Sequence, residues 1–120
     1  MSKFDIKDRS LEFAVRAARF IDKLPRKQSA LEYGKQLIRS SASIGANIEE
    51  ADGALSKKDF VNKIGISRRE AKESGYWLQL IKKVESIDAS DEKELDWLSN
   101  EAMELKLILS AIINSANKKQ

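Results

Sequence analysis

Two pairs of glutamates are the residues of this chain whose spacing best suits metal chemistry. Glu70 and Glu73 form one Glu-x-x-Glu motif, and Glu101 and Glu104 form another. Residues three apart share a face of a helix, so each pair presents two carboxylates side by side. Carboxylates in this arrangement can hold Mg²⁺ around a pyrophosphate group, which would be hydrolysed with the metal's help.

The two glutamate motifs resemble, in outline, those of the all-α nucleoside triphosphate pyrophosphohydrolases. Those enzymes carry Glu-x-x-Glu followed by Glu-x-x-Asp, whereas this chain has Glu104 in place of the aspartate. Charged pairs at this spacing also arise freely on exposed helices. A magnesium-dependent pyrophosphohydrolase is therefore kept only as an alternative.

Histidine and cysteine are both absent from the sequence. Their absence excludes thiol nucleophiles, histidine-containing triads and the zinc and haem sites that need these side chains. The glycine-rich motifs of dinucleotide binding and of P-loop nucleotide binding are missing as well. We therefore predict a protein that is not an enzyme and has no catalytic residue, no metal site and no cofactor.

Basic residues concentrate in one segment of the chain. Residues 56–86 contain eight lysines or arginines and four acids, whereas residues 91–117 contain six acids and two lysines. The basic segment can form an electropositive surface for RNA phosphates. The candidate nucleic-acid-binding residues are Lys57, Lys58, Lys63, Arg68, Arg69 and Lys72, with Arg26, Lys27 and Arg39 as further candidates. In the alternative, a protein-protein assembly module, the basic segment instead docks on the acidic segment of a neighbouring subunit.

Helices must position these residues, because one proline and five isolated glycines give too few turns for a β protein. Apolar residues recur at spacings of three and four, which predicts helices at about residues 8–24, 30–53, 57–86 and 91–116. Short connections predict an all-α, antiparallel up-down-up-down four-helix bundle that forms a single domain over residues 1–120. Pro25 is predicted to end the first helix, and Gly53 is predicted to follow the second in a left-handed conformation. The capping pairs Ser29 with Glu32 and Ser56 with Asp59 are predicted to begin the second and third helices, and Ser90 is predicted to cap the fourth.

Two segments are unusual for a simple bundle. Residues 40–46 are almost all small, which predicts a close approach of helix backbones. Residues 105–113 are apolar on every side of their helix, which predicts burial on more than one side and hence a homo-oligomer. The predicted interface residues are Leu105, Leu107, Ile108, Leu109, Ile112 and Ile113. Tyr76 and Trp77 are predicted to lie in core and interface, with stacking on a base as the alternative.

The first ten residues are charged rather than apolar, and no run of about 18 apolar residues occurs. This pattern predicts a cytoplasmic protein without a membrane-spanning segment.

A longer motif carries a family resemblance. Residues 43–51 read Ser-x-Gly-Ala-Asn-x-x-Glu-Ala, and further matching positions follow in the third helix. The matching residues are Ser43, Gly45, Ala46, Asn47, Glu50, Asp59, Phe60, Glu73 and Trp77. Over nearly its whole length the chain resembles the bacterial four-helix bundle family that includes the proteins encoded in intervening sequences of 23S rRNA genes.

The resemblance implies an antiparallel bundle and ring-shaped homopentamers, in which these motif residues determine fold or assembly. It also implies a distant kinship with the accessory variability determinant protein of diversity-generating retroelements, a basic pentameric barrel that works with a reverse transcriptase and RNA. We therefore expect a non-enzymatic homo-oligomer that binds structured RNA. The expected partners are further copies of the chain, RNA and, in the alternative, another protein.

Overall fold

Four helices make up most of the computed structural model, which describes residues 3–118 and the side chains of residues 6–118. They are α1 (Lys3–Ile21), α2 (Gln28–Asp52), α3 (Lys57–Val84) and α4 (Ala89–Lys118). Each helix packs against the next one in the chain, and α1 also packs against α4. Short connections at residues 22–27, 53–56 and 85–88 join them, so the predicted all-α up-down bundle is confirmed.

The predicted helix boundaries agree with the structure to within about two residues, except in α1. That helix begins at Lys3 rather than near residue 8 and ends at Ile21 rather than at Leu24. Pro25 lies in the connection that follows, beyond the end of the helix. Among the described residues, no helix combines the length and the hydropathy that crossing a membrane requires.

The core runs along the inner faces of all four helices. Its large side chains recur at spacings of three, four and seven residues, which keeps them on one face of each helix. The largest fully buried apolar side chains are Phe13, Phe20, Leu37, Ile44, Leu78, Ile81, Leu95, Leu98, Leu105 and Leu109. Because these residues extend over the long axis of a body of 50 × 24 × 19 Å, the helices are held in register along most of their length.

One of the three predicted N-terminal caps is confirmed. The Ser56 hydroxyl accepts a hydrogen bond from the Asp59 amide at 3.0 Å and begins α3. The prediction for Ser29 is wrong, because α2 begins at Gln28, which places Ser29 inside the helix, and the Ser29 hydroxyl bonds to Glu85 instead. The prediction for Ser90 is also wrong, because Asp88 Oδ1 accepts the bond from the Asp91 amide at 2.9 Å.

The end of α2 differs from the prediction as well. Gly53 follows the helix, as expected, but its φ of −95° is not left-handed. Its amide reaches the carbonyl of Glu50 at 3.2 Å, which closes a tight final turn without a positive φ.

The small residues of α2 do allow close helix packing. A Cβ at Gly45 would lie 3.1 Å from Ser10 Oγ of α1, so a larger residue would crowd the contact between the two helices. On the other side, Ser40 Oγ lies 2.8 Å from Ser74 Oγ of α3, and both serines are buried. Nearby, Ser67 Oγ donates to the Ile44 carbonyl at 2.8 Å. The predicted close approach of backbones is therefore confirmed.

Candidate nucleic-acid interface

Four exposed cations lie along the outer side of α3. Lys58, Arg69, Lys72 and Lys83, here called the basic stripe, are spaced by eleven, three and eleven residues. Eleven residues are close to three helical turns, so the stripe follows one side of the helix for about 37 Å. None of these four side chains forms an ion pair or a hydrogen bond with another residue of the described range 3–118. Lys83 is not one of the nucleic-acid-binding candidates named from the sequence, although its spacing of eleven residues from Lys72 places it on the same side of α3.

Several predicted nucleic-acid-binding residues lie outside the basic stripe. Lys63 is directed to α2, where its Nζ lies 3.2 Å from Glu50 Oε1. Arg68 is directed to α4, where its Nε donates to Ser110 Oγ at 2.5 Å. The sequence could not separate these two from Arg69, because the neighbours that bind them come from other helices.

The remaining candidates lie near helix ends or on α2. Lys57 is exposed at the first residue of α3, and Arg26 is exposed in the connection between α1 and α2. Lys27 Nζ lies 3.6 Å from the buried carboxylate of Glu85. Arg39 is exposed on α2 and donates to Gln36 of the same helix. These residues therefore do not extend the basic stripe.

The acidic residues of α4 are mostly bound to cations of the same chain. Arg9 of α1 holds Glu101 through two hydrogen bonds of 2.7 and 2.9 Å and reaches Glu104 at 3.0 Å. Arg16 holds Glu94 in the same two-bond manner, at 2.6 and 2.9 Å. Two lysines complete the set, since Lys23 lies 3.8 Å from Asp91 and Lys82 lies 2.8 Å from Asp96.

These ion pairs affect protonation in the expected directions. The hydrogen bond from Arg16 lowers the pKa of Glu94 below its ordinary value. The hydrogen bonds to Glu101 and Glu104 raise the pKa of Arg9. Five of the six acids of α4 are therefore held by cations of the same subunit.

Three aromatic residues form a connected group beside the basic stripe. Trp77 packs against the core, and its ring stacks near that of Tyr33 of α2, with centroids 6.3 Å apart. Tyr76 meets Trp77 edge-on at 5.4 Å and is 56% exposed. Trp77 is half-buried, so the prediction that it lies in the core is confirmed in part. The same prediction is wrong for Tyr76, which is exposed. Trp77 Nε1 is buried without an acceptor.

The two glutamate pairs do not converge on one site. Glu101 and Glu104 both bind Arg9, whereas Glu70 lies on α3 near Arg39 of α2. Burial raises the pKa of Glu70, and the neighbouring charge of Glu73 adds to the rise. No three acidic residues in the range 3–118 come together in a group that could hold a metal ion. This arrangement gives no support to the pyrophosphohydrolase alternative.

The apolar segment at residues 105–113 divides between core and surface. Leu105 and Leu109 are fully buried in the bundle, so their assignment to an oligomer interface is wrong. Leu107 is 59% exposed, and Met103, one turn earlier, is 53% exposed. The half-buried members are Ile108, Ile112 and Ile113, of which the first two line an open apolar cleft of about 510 Å³ at one end of the bundle.

Comparison with known sequences places the chain in a family. The sequence model described as 23S rRNA-intervening sequence protein matches residues 2–111, which is nearly the whole chain. The chain belongs to the 23S rRNA-intervening sequence protein family. No curated protein matches it.

A solved structure from the same group has a closely similar fold. It is the crystal structure of a protein of unknown function from the S23 ribosomal protein family of Bacteroides thetaiotaomicron. The two chains share 39% sequence identity, the alignment covers 95% of this chain and 99% of the other, and the TM-score is 0.83. The resemblance inferred from residues 43–51 is thus confirmed at the level of family and fold.

Part of the motif of the 23S rRNA-intervening sequence protein family lies in contacts between helices. Gly45 allows the approach to α1, Asn47 Nδ2 donates to the Ser43 carbonyl at 2.8 Å, and Glu50 pairs with Lys63 of α3. In α3, the Asp59 amide completes the Ser56 cap, and Phe60 packs against the core. Glu73 is half-buried and Ala46 is exposed. Gly45, Glu50 and Phe60 thus contribute to contacts between helices.

Proposed function

We propose that this member of the 23S rRNA-intervening sequence protein family is a non-enzymatic, homo-oligomeric bundle that binds structured RNA through backbone phosphates. The observation that carries the proposal is the basic stripe of Lys58, Arg69, Lys72 and Lys83. Exposed lysines and arginines in a line neutralise successive phosphates and release the counterions condensed on them. Such contacts position RNA without reading its sequence.

The ion pairs of α4 favour RNA over the assembly alternative. If α3 docked on α4 of a neighbour, the acids of α4 would have to be available to it. Glu94 and Glu101 are instead held by two-bond arginine pairs within the subunit, and Asp96 is held by Lys82. A polyanion from outside the chain is therefore the better partner for the basic stripe.

Binding rather than catalysis is proposed because the two glutamate pairs do not converge and one of them, Glu101 with Glu104, is already held by an arginine. Arg9 engages both Glu101 and Glu104, which a magnesium site would require to be free.

Self-association is proposed through the outer side of α4, where Met103 and Leu107 form an exposed apolar patch. By the family resemblance, a pentamer is the favoured assembly.

The test compares two double charge reversals of equal size. Arg69→Glu with Lys72→Glu changes the basic stripe, and Arg19→Glu with Lys93→Glu changes exposed cations on α1 and α4. Anisotropy of a labelled structured RNA is measured at low and physiological salt. We expect the first variant to lose at least about tenfold in affinity, whichever RNA sequence is used, and the second to bind within about twofold of wild type. Equal binding by both variants would exclude the basic stripe as the RNA surface.

A further inference from the structure

Tyr76 lies within the basic stripe. It follows Lys72 by four residues and is seven residues from both Arg69 and Lys83, so all four side chains leave the same side of α3. With 56% of its surface exposed, the ring of Tyr76 is open to solvent between these cations. Glu73, the acid nearest to Tyr76 in the sequence, is half-buried.

The ring of Tyr76 is supported from the protein side. Trp77 contacts it at a centroid distance of 5.4 Å and an interplanar angle of 71°, an edge-to-face arrangement. Trp77 is itself fixed by the core and by Tyr33 of α2, at 6.3 Å and 27°. A tyrosine with two side-chain torsions and such support loses little conformational freedom when a ligand covers it.

We propose that Tyr76 is a stacking platform for an unpaired nucleobase, while Arg69, Lys72 and Lys83 bind the phosphates on either side of it. An exposed aromatic ring flanked by cations is the arrangement by which proteins bind single-stranded nucleic acid, and every base has a face that can stack. A base inside a duplex has both faces covered by its neighbours. The inference rests on the proposed RNA binding and deepens it, because the ligand class becomes single-stranded segments such as loops and tails.

Three nucleic-acid probes of equal length separate the contribution of base stacking to the affinity from that of the backbone charge. They are a labelled oligouridine, the same backbone with abasic sites throughout, and a blunt RNA duplex. Each is titrated against wild type, Tyr76→Ala, Tyr76→Phe and a control, Gln79→Ala, which changes an exposed residue of the same helix. We expect Tyr76→Ala to lose about 5- to 100-fold in affinity for oligouridine and almost nothing for the abasic probe. Tyr76→Phe and Gln79→Ala are expected to retain wild-type affinity, and only oligouridine, the probe with unpaired bases, is expected to quench the fluorescence of the aromatic side chains.

Each other outcome has a definite meaning. If Arg69→Glu with Lys72→Glu abolishes binding while Tyr76→Ala binds oligouridine like wild type, the stacking site is overturned and the phosphate surface stands. If no probe binds wild type even at low salt, the proposed RNA function fails and the stacking site fails with it. If Tyr76→Ala changes the oligomeric mass in native mass spectrometry and leaves RNA affinity unchanged, Tyr76 is a subunit contact and the inference is overturned.

Discussion

Ser29 Oγ donates a hydrogen bond to Glu85 Oε2 at 2.5 Å and joins the start of α2 to the end of α3. The side chain of Glu85 is fully buried, and Lys27 lies 3.6 Å from its other oxygen. No acidic residue occurs in the first turn of α2, and the carboxyl group that bonds there comes from Glu85, directly after the last residue of α3. This end of the bundle is therefore held by a tertiary contact rather than by a local cap.

Replacing Ser29 removes the hydrogen bond that the structure gives this buried carboxylate. We expect Ser29→Ala to lower the free energy of unfolding by about 1 to 3 kcal/mol, because the buried Glu85 Oε2 loses its hydrogen-bond donor. Urea denaturation measures the change. The control is Ser86→Ala at an exposed neighbouring position, which we expect to stay within about 0.5 kcal/mol of wild type. Equal stability of the two variants would contradict the role given to the Ser29–Glu85 contact.

Two glycines in helices respond oppositely to alanine. At Gly45 the new Cβ would lie 3.1 Å from Ser10 Oγ, so this buried hydroxyl, which is bonded to the Lys7 carbonyl, must give way by a few tenths of an ångström. We expect Gly45→Ala to cost about 1 to 3 kcal/mol of stability. At Gly65 a Cβ meets nothing within 4 Å, so Gly65→Ala gains about 0.5 to 1 kcal/mol from helix propensity. Urea denaturation measures the change in the free energy of unfolding for each variant. If both alanine substitutions stabilised the protein, Gly45 would have no packing role.

The ion pair between Arg16 and Glu94 makes stability depend on pH. Because the pKa of Glu94 is lowered in the folded chain, its contribution is complete above the ordinary value of 4.5 and is lost as the pH falls through the lowered value. We expect Glu94→Gln to be about 1 kcal/mol less stable than wild type at pH 7, with the gap closing toward pH 3. Thermal unfolding across this range measures the gap, with exposed Glu92→Gln as the control. If the stability difference between wild type and Glu94→Gln did not change with pH, the charge of Glu94 would not be its cause.

Self-association is expected to depend on the exposed patch of Met103 and Leu107. Multi-angle light scattering of the wild type is expected to give a multiple of the 13.5 kDa chain mass, with five copies favoured. Leu107→Glu places a charge in the patch and is expected to lower the mass. Leu11→Glu, at a residue 65% exposed on α1, is the matched control and is expected to leave the mass unchanged. A monomeric wild type at micromolar concentration would exclude the assembly.

Properties set by local periodicity were predictable from the sequence. The inward faces of α2 and α4 follow from apolar residues at helical spacing, and Leu37, Leu98 and Leu105 are indeed fully buried. The Ser56 cap also follows from local chemistry, because its partner amide is three residues away. The family followed from residues 43–51, where glycine and small residues mark the close contact with α1.

Features decided by partners from other helices were not predictable. Ser29 has the sequence of a cap but bonds to Glu85, 56 residues away. Arg68 and Arg69 are adjacent in the sequence, yet only Arg69 faces solvent, because Ser110 of α4 binds Arg68. Leu109 and Leu107 likewise differ only in the side of α4 that they occupy. For the last two pairs, a shift of one or two residues along the helix decides between a contact inside the bundle and an exposed position.

The salt dependence of RNA affinity measures how many phosphates the basic stripe neutralises. Four cations predict that the logarithm of the binding constant for single-stranded RNA falls with the logarithm of salt concentration with a slope of about −3 or steeper. Lys72→Ala should make the slope shallower by about 0.7, and Lys93→Ala on α4 should leave it unchanged. A slope near zero, or no binding at low salt, would contradict the account.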